Sequence, residues 1–266
     1  MLNISISDLY SLMDDESETN RLERAIQLIE DNSDNFVFLN VIDGDVEKRR
    51  ILKPFGIREN IWEPYKFGLM DSDYRIIVKP EYDSIIDNVF SKDDLIRVGK
   101  LTAVNYQKGT GKDDLHIRLR FGVIDSSCKT ILKTEYDNIY LYKKYNLIVV
   151  TNGPTCSIQG SGLFSWAGEE IVPVGKYYKI YDFDKEMARV ITFDDKWGII
   201  GINGEVLLPP VYDRIWPFEG KDFDSARTEK NGVTIDFDFA GLRAGKYSND
   251  YSDDLPFKLC QLTRTQ

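Results

Sequence analysis

One spaced set of residues recurs along the chain, and it limits the fold more than any other feature. In KWGIIGINGEVLLPPVYDRI (196–215), Gly198 is followed by Pro210, Tyr212, Asp213 and Ile215 at offsets of 12, 14, 15 and 17. Starting from Gly68 in KFGLMDSDYRIIVKPEYDSI, residues Pro80, Tyr82, Asp83 and Ile85 fall at the same offsets. Starting from Gly122, Tyr136, Asp137 and Ile139 match, with Thr134 in the place of proline. A weaker copy runs from Gly162; it keeps Gly168 and Pro173, gains a residue near Gly175 and carries Tyr177-Tyr178 instead of Tyr-Asp. The glycines lie 54, 40 and 36 residues apart, and Gly232 in KNGVTID follows after 34 more, as a degenerate last copy. Residues 37–54 are a candidate worn first copy. Self-similarity at such a period marks a repeat architecture in which neighbouring units share one core.

Each unit reads as short antiparallel strands. In GIIGINGEVLL, β-branched residues and leucines flank Asn203-Gly204, a two-residue hairpin signal in which both turn positions want positive φ. Tyr74 and Cys128 replace that glycine in two units, so those turns differ or carry strain. Pro209 and Pro210 cannot donate to a ladder and are expected to end the second strand. VYDRIWPF then alternates, with Tyr212, Arg214 and Trp216 on one face and Val211, Asp213 and Ile215 on the other. Glycine beside the aromatic residue is expected to let the ring lie over neighbouring backbone.

These units resemble the WG-repeat family of bacterial proteins, whose motif runs A-R-V…K-W-G-h-I-D-x-x-G-x-h-h-P-P-x-Y-D-x-h. Residues 188–215 fit it almost completely, departing at Gly201 where the motif has the Asp kept at Asp71 and Asp125. Trp is replaced by Phe67 and Phe121 and lost at Ser161; the resemblance spans about 66–235. It implies a repeat architecture and carries over no catalytic residue. The expected fold is mainly β: tandem antiparallel β-meander repeats in an open stacked array, with propeller-like closure as the alternative, and a small N-terminal α-helical cap. Residues 65–242 form the repeat domain, with units starting near 66, 120, 160, 196 and 230 and a hairpin insertion over 99–119; residues 243–266 form a C-terminal tail.

Residues 1–64 are different. Ser5 and Asp8 form a capping pattern ahead of Leu9, Leu12 and Met13, and Leu22, Ile26 and Ile29 make one helical stripe. Two short helices and a strand near Phe36–Val41 are expected to cover the first repeat; a partner-binding helix is the alternative.

Charge bears on partners. The net charge is −10, with 14 acidic and 7 basic residues over 1–64, 14 and 16 over 65–181, and 16 and 11 over 182–266. Acidic ends repel phosphate backbones, so nucleic acid is not an expected partner and a basic protein is the more natural one. No run approaches the roughly 18 apolar residues of a spanning helix, so no membrane association is expected. The first residues lack a basic segment and an apolar core, so no secretory signal is expected. Three widely spaced cysteines, Cys128, Cys156 and Cys260, point to reduced thiols in a cytoplasmic setting. Oligomeric state is open.

The residues argue against catalysis. The sole histidine, His116, alternates with Ile117 and Leu119 on the insertion, and without a second histidine no HExxH motif or histidine-rich metal cage can form. GTGKDD fails as a phosphate loop, because Asp113 follows Lys112 where Ser or Thr is needed. No cofactor or metal site is expected. Asp83, Asp137 and Asp213 are expected to bond local backbone N–H groups, and Trp197 to pack as a core ring between units, with sugar stacking as its alternative. The leading expectation is a non-catalytic repeat protein that binds other proteins. Two loops mixing aromatics with carboxylates are the candidate contacts: one holds Tyr178, Tyr181, Asp182 and Asp184, the other Trp216, Phe218, Asp222, Phe223 and Asp224. An immunity-type inhibitor of a bacterial toxin is a narrower alternative, and a carboxylate-dependent enzyme such as a glycosidase is a third.

Overall fold

Apolar residues two apart, set off by turn residues, dictate strands, and strands make up most of the described chain. The computed structural model describes residues 36–38, 51–58, 62–72, 75–87, 91–107, 113–153, 160–218 and 224–247. The helical cap expected over 5–31 lies outside the described residues, as does Tyr74. The first sheet takes β1 (Phe36–Phe38), β2 (Leu52–Ile57), β3 (Lys66–Asp71) and β4 (Ile76–Tyr82) in that order. β5 (Ser84–Ile85), β6 (Leu95–Gln107), β7 (Asp113–Asp125) and β8 (Thr130–Tyr136) build the second. β9 (Asn138–Tyr142), β10 (Leu147–Asn152), β11 (Gly160–Ser165) and β12 (Glu170–Tyr177) build the third. The fourth comprises β13 (Lys179–Asp184), β14 (Met187–Ile191), β15 (Trp197–Gly201) and β16 (Val206–Tyr212). The fifth has three strands, β17 (Arg214–Ile215), β18 (Ser225–Lys230) and β19 (Val233–Asp238), followed by helix α1 (Phe239–Arg243). Every pairing is between chain neighbours and antiparallel. The fold is thus a run of small meanders, and none of the described sheets closes into a barrel.

The repeat phase differs from the sequence units. The Phe/Trp-Gly dipeptide lies in the third strand of its sheet, and one residue after the conserved tyrosine separates consecutive sheets. Asp83, Asp137, Tyr178 and Asp213 occupy that junction. β1 and β2 therefore fall in the stretch assigned to the N-terminal cap, yet β2 pairs with both β1 and β3, so the described ends of the 37–54 stretch belong to strands of the first sheet rather than to a separate unit. Likewise the insertion over 99–119 is an extension of β6 and β7, paired from Leu95↔Asp125 to Gln107↔Asp113. The alternation expected through VYDRIWPF breaks at Asp213, and Tyr212 and Ile215 enter the same core.

Pro209 and Pro210 do not end a strand. β16 runs through both, because it is the outer strand of its sheet and its pairing with β15 bulges there: Trp197 faces Tyr212, but Ile199 faces Leu208. An edge bulge is where a residue without an N–H fits. The bulged backbone presses on Gly198, where a Cβ would lie 2.8 Å from the Leu208 carbonyl oxygen and 2.9 Å from the Pro210 nitrogen. The same collision would occur at Gly122 with the Leu132 oxygen, at 2.6 Å. The glycine of the motif thus admits the partner strand's backbone, and the expectation that it clears space for the ring is corrected.

The Asn203-Gly204 turn is also corrected. Gly201 N–H donates to Glu205 O and Gly204 N–H to Gly201 O, enclosing three residues, of which only Gly204 has positive φ (75°). This is a type I turn followed by a left-handed residue. Cys128 holds the equivalent position at φ 67°, so that turn keeps its form at the cost of strain. The two-residue Asn-Gly hairpin exists elsewhere, at Asn231-Gly232, with φ 52° and 73° between paired Lys230 and Val233. Gly232 is therefore a turn glycine and not the counterpart of Gly198.

The chain divides into two compact units, residues 1–137 and 138–266. In the former, Leu52, Leu69, Val78 and Tyr82 of the first sheet pack on Ile85, Ile96, Val98 and Ile124 of the second. In the latter the fourth sheet is buried on both faces. Ala188, Val190 and Ile200 meet Leu147, Val149 and Leu163 of the third sheet. Met187, Ile199, Leu208 and Tyr212 meet Ile215, Ala226 and Phe237 of the fifth. α1 packs Phe239 and Leu242 into that second cluster, joined by Tyr247. Asp238 caps the helix by accepting from Gly241 N–H, and Tyr247 donates its hydroxyl to the same carboxylate at 2.6 Å.

Candidate interaction surface

The carboxylates at the sheet junctions have structural partners. Asp213 accepts Lys196 Nζ at 2.6 Å on one oxygen and the Asn231 N–H at 2.7 Å on the other, while its own N–H donates to Glu229 O. Asp83 repeats this arrangement with Lys66 Nζ, the Leu101 N–H and Gly99 O. Arg120 donates to Asp137 at 2.9 Å. The basic residue lies 17 positions earlier, just before the motif's aromatic, and in the Asp83 and Asp213 clamps the donating amide lies 18 positions later in the next sheet. The expected bonds to local N–H groups are therefore replaced by longer-range ones. Asp83 and Asp213 each tie the third strand of their own sheet to the next sheet. The Lys196 hydrogen bond, helped by the Asn231 N–H, holds the Asp213 carboxyl below the usual range.

A different surface forms on the fourth sheet, on the side that meets the fifth. β17 is only two residues long, so it leaves part of β13, β14 and β15 uncovered. There Tyr181 and Trp197 stack with centroids 5.1 Å apart and planes 24° from parallel. The Arg189 guanidinium lies 5.0 Å from the Tyr181 centroid and 5.5 Å from that of Trp197, and donates to Ile215 O at 2.9 Å. Lys179 Nζ sits 4.6 Å over Tyr181. Tyr178 meets Phe193 edge to face at 5.7 Å, and Phe193 is 56% exposed. Arg214 lies 4.9 Å over Trp216, beside the carbonyl that receives Arg189. Burial pushes the Tyr181 hydroxyl above its ordinary pKa, against the opposing pull of Arg189.

Trp197 is consequently half-buried: it packs against the cluster between the fourth and fifth sheets, and Tyr181 covers part of it. The expectation of a core ring is corrected to a ring at the rim of that core.

The two candidate segments fare unequally. Residues 179–184 are strand β13 rather than a loop. Tyr178 and Tyr181 join the aromatic strip, whereas the exposed Asp182 accepts the Tyr142 hydroxyl at 2.5 Å and half-buried Asp184 closes the hairpin opposite Met187. Burial first, and that hydrogen bond second, raise the Tyr142 pKa well above its ordinary value. In the other segment Trp216 is half-buried, and Asp224 is exposed with its carbonyl accepting from Phe239. Phe218 is buried at 9% exposure, edge to face with Phe239, so its ring serves the core rather than a contact surface. Asp222 and Phe223 lie outside the described residues. The structure brings Tyr181 and Trp197 together around Arg189, whereas Trp216 carries Arg214 on the fifth sheet. Arg189 and Phe193 do not stand out as contact residues in the sequence; only Phe193 carries a signal, a large apolar residue in the turn TFDDK.

Among the described residues no group of three or more His, Cys, Asp or Glu is placed to hold a metal. Cys128 is a free thiol raised in pKa by burial and by Asp125. No curated protein matches the chain. The family description "WG containing repeat" matches residues 67–100, 167–197 and 197–233, which hold the third and fourth strands of the first sheet, the end of the third sheet, and the fourth sheet into the fifth. With motif glycines under bulged partner strands and the same aspartate clamp at the first and the last sheet junction, the chain belongs to the WG-repeat family.

Proposed function

We propose that the protein is a non-catalytic repeat scaffold that binds another protein through the aromatic strip of the fourth sheet. The observation that carries this reading is the ring surface left at solvent by Tyr178, Tyr181, Phe193 and Trp197 around Arg189. Aromatic and arginine side chains dominate the energetic centres of protein interfaces. The carboxylates support the non-catalytic part. Acid–base chemistry by two carboxylates needs one of them raised in pKa. Every described carboxylate with a shifted pKa, namely Asp125, Asp194, Asp213 and Asp238, is shifted downward.

The test is affinity capture from the native cell with wild type, Tyr178→Ala and Phe193→Ala, read by quantitative mass spectrometry. Both rings reach solvent, so the variants keep a melting temperature within about 2 °C of wild type, as surface changes do. At least one co-purifying protein falls about tenfold in both, the effect of losing a contact of about 1.4 kcal/mol. Identical capture profiles for all three chains would remove the strip from the binding surface.

A further inference from the structure

β6 and β7 are each 13 residues long, and they outrun the rest of their sheet. β5 has only two residues and pairs no further along β6 than Gly99, and β8 pairs no further along β7 than Phe121. Beyond those points the two strands hold only each other, from Lys100↔Arg120 to Gln107↔Asp113. A two-stranded ribbon is marginal in water unless something packs on it. Alternation places Leu101, Ala103, Leu115, Ile117 and Leu119 on one side of this ribbon. Leu101 is 51% and Ile117 74% exposed, so the described part of that side meets solvent.

The two edges of the ribbon differ. Gly99 O accepts from the Asp83 N–H and Arg97 O from the Ile86 N–H, so the odd-numbered residues of β6 turn their backbone groups away from β7. By the register, Leu115, Ile117 and Leu119 then point theirs out of the opposite edge. On the β6 edge the Asp83 carboxylate takes the Leu101 N–H. On the β7 edge the Ile117 and Leu119 amides have no partner among the described residues. Elsewhere the chain blunts its outer strands. β4, β8, β12 and β16, which end the first four sheets, are each bulged against their neighbour, and Pro80, Pro173, Pro209 and Pro210 lie in three of them. β7 runs unbulged along β6 and holds no proline. A straight, apolar, unprotected edge is a template for another strand.

We infer that this edge, residues 113–119, pairs antiparallel with the same edge of a second copy of the chain. A symmetric contact needs a patch that complements itself when reversed. The midpoint of 113–119 is His116. A two-fold axis there sets Ile117 beside the second copy's Leu115, and Arg118, itself 3.9 Å from Asp137, beside the second copy's Asp114. Each pair occurs twice. Opposite charges thus meet on one face and apolar residues on the other, the combinations that stabilise cross-strand neighbours. The two ribbons become one four-stranded sheet, which removes both free edges.

The experiment measures the mass of the full chain by sedimentation equilibrium at about 100 µM, where a micromolar contact is almost fully formed. Wild type is expected to give the mass of two chains. Ile117→Lys, which puts a charge on the exposed apolar row, is expected to weaken dimerisation at least about tenfold. Ile117→Pro is expected to do so by removing an edge N–H; the bonds to β6 survive, because that N–H does not face β6. Far-UV circular dichroism checks that both variants keep their strand content. A third arm reads the register without altering the apolar row. In a chain whose three cysteines are replaced by serine, His116→Cys is expected to form a disulfide between copies under mild oxidation. Residues that face each other in antiparallel strands have Cα atoms roughly 4.5–5.5 Å apart, within reach of that bond. Thr102→Cys, on β6, is expected to stay unlinked. A wild-type mass of one chain overturns the inference, as does a two-chain mass that both Ile117 variants retain. A link through Thr102→Cys with none through His116→Cys overturns it too. None of these outcomes bears on the aromatic strip, which lies on another sheet.

Discussion

The fourth and fifth sheets are built from successive copies of one repeat, yet they end in opposite kinds of surface. The fourth follows the family motif closely and buries both faces, Met187 and Ile199 toward the fifth sheet and Val190 and Ile200 toward the third. The fifth buries one face, through Ala226 and Phe237, and turns Arg227, Glu229, Thr234 and Asp236 outward. It also has three strands where the fourth has four; α1 packs against β19 and β16 and fills that corner with Phe239 and Leu242. A stacked repeat exposes an apolar face wherever it stops, so the last unit must be polar outside and its edge covered. Among the described residues, the decay of the motif after Gly198 therefore goes with the polar outer face of the fifth sheet.

The largest effect expected from this contrast is at Phe237. It is fully buried, edge to face with Tyr212 and Tyr247. Phe237→Ala is expected to cost about 4 kcal/mol. Its strand neighbour Asp236, on the outer face, is expected to change stability by less than about 0.5 kcal/mol when replaced by Ala. Urea denaturation of both variants checks this. Similar losses at the two positions would mean that the outer face is covered, and that the fifth sheet does not end the stack.

Next comes the glycine contrast. Gly198→Ala drives a methyl group into the Leu208 carbonyl and Pro210, all of it backbone, and is expected to cost about 3 kcal/mol through strand displacement. Gly232→Ala meets nothing within 4 Å and suffers only from its φ of 73°, a cost of about 1 kcal/mol. Equal midpoints in a thermal melt would contradict the assignment of Gly198 to the bulge and Gly232 to the turn.

That pair also shows how much of the fold is legible in the sequence. The offsets linking Gly68, Gly122, Gly162 and Gly198 reveal the repeat and its β character, because each residue does the same mechanical task in every sheet. The phase is harder to see. Gly232 continues the spacing, yet a turn glycine and a bulge glycine look alike when only the spacing is visible. Pro209 and Pro210 read as a strand end because their tolerance depends on lying at a sheet edge, and edges exist only once sheets are assembled. α1 escapes detection because five residues are too few for a helical period; its one local signal is the capping Asp238 ahead of Phe239 and Leu242. The strip is half visible: Tyr178 and Tyr181 stand out by composition, whereas Phe218 has the same composition and goes to the core. Which side of a strand faces its neighbour is decided by packing between sheets, and VYDRIWPF loses its alternation at the one-residue junction.

A smaller effect is expected at Trp197. Being half-buried and shared between core rim and strip, it is expected to cost about 2 kcal/mol on replacement by Ala, below the roughly 3–5 kcal/mol of a fully buried aromatic. Tyr181→Ala removes the stacked partner and is expected to cost about 1 kcal/mol. The double variant should lose less than the sum of the two, as contacting residues do. Strict additivity, read from a double-mutant cycle, would mean that the rings do not support each other.

The smallest effect concerns how each sheet is fastened to the element packed on it. The fourth is tied to the fifth by apolar packing and the Asp213 clamp, whereas the helix that covers the fifth relies in part on one polar bond, from Tyr247 to Asp238. Burial, and then that hydrogen bond, push the Tyr247 pKa from 10.0 up to about 12. A folded-state value above the unfolded one means a contribution fully present below pH 10 and lost as pH rises through about 12. The carboxylate responds in the opposite sense. The Tyr247 hydroxyl first, and the Gly241 N–H next, lower the Asp238 pKa from 3.8, so its contribution is present above that value and lost as pH falls through the depressed one. Tyr247→Phe keeps the ring against Phe237 but removes the shared bond behind both responses, so its stability relative to wild type should narrow at either extreme and differ most between about pH 5 and 9. The readout is hydrogen exchange of α1 amides at neutral pH and chemical denaturation across the pH range. Since the side chain is packed but its hydroxyl bonds an exposed carboxylate, the opening is local: α1 exchanges faster in the variant while β14 and β15 keep their protection. Faster exchange throughout the fourth sheet would show that the helix sustains the sheet below it as well as covering its own, and that the two sheets melt as one.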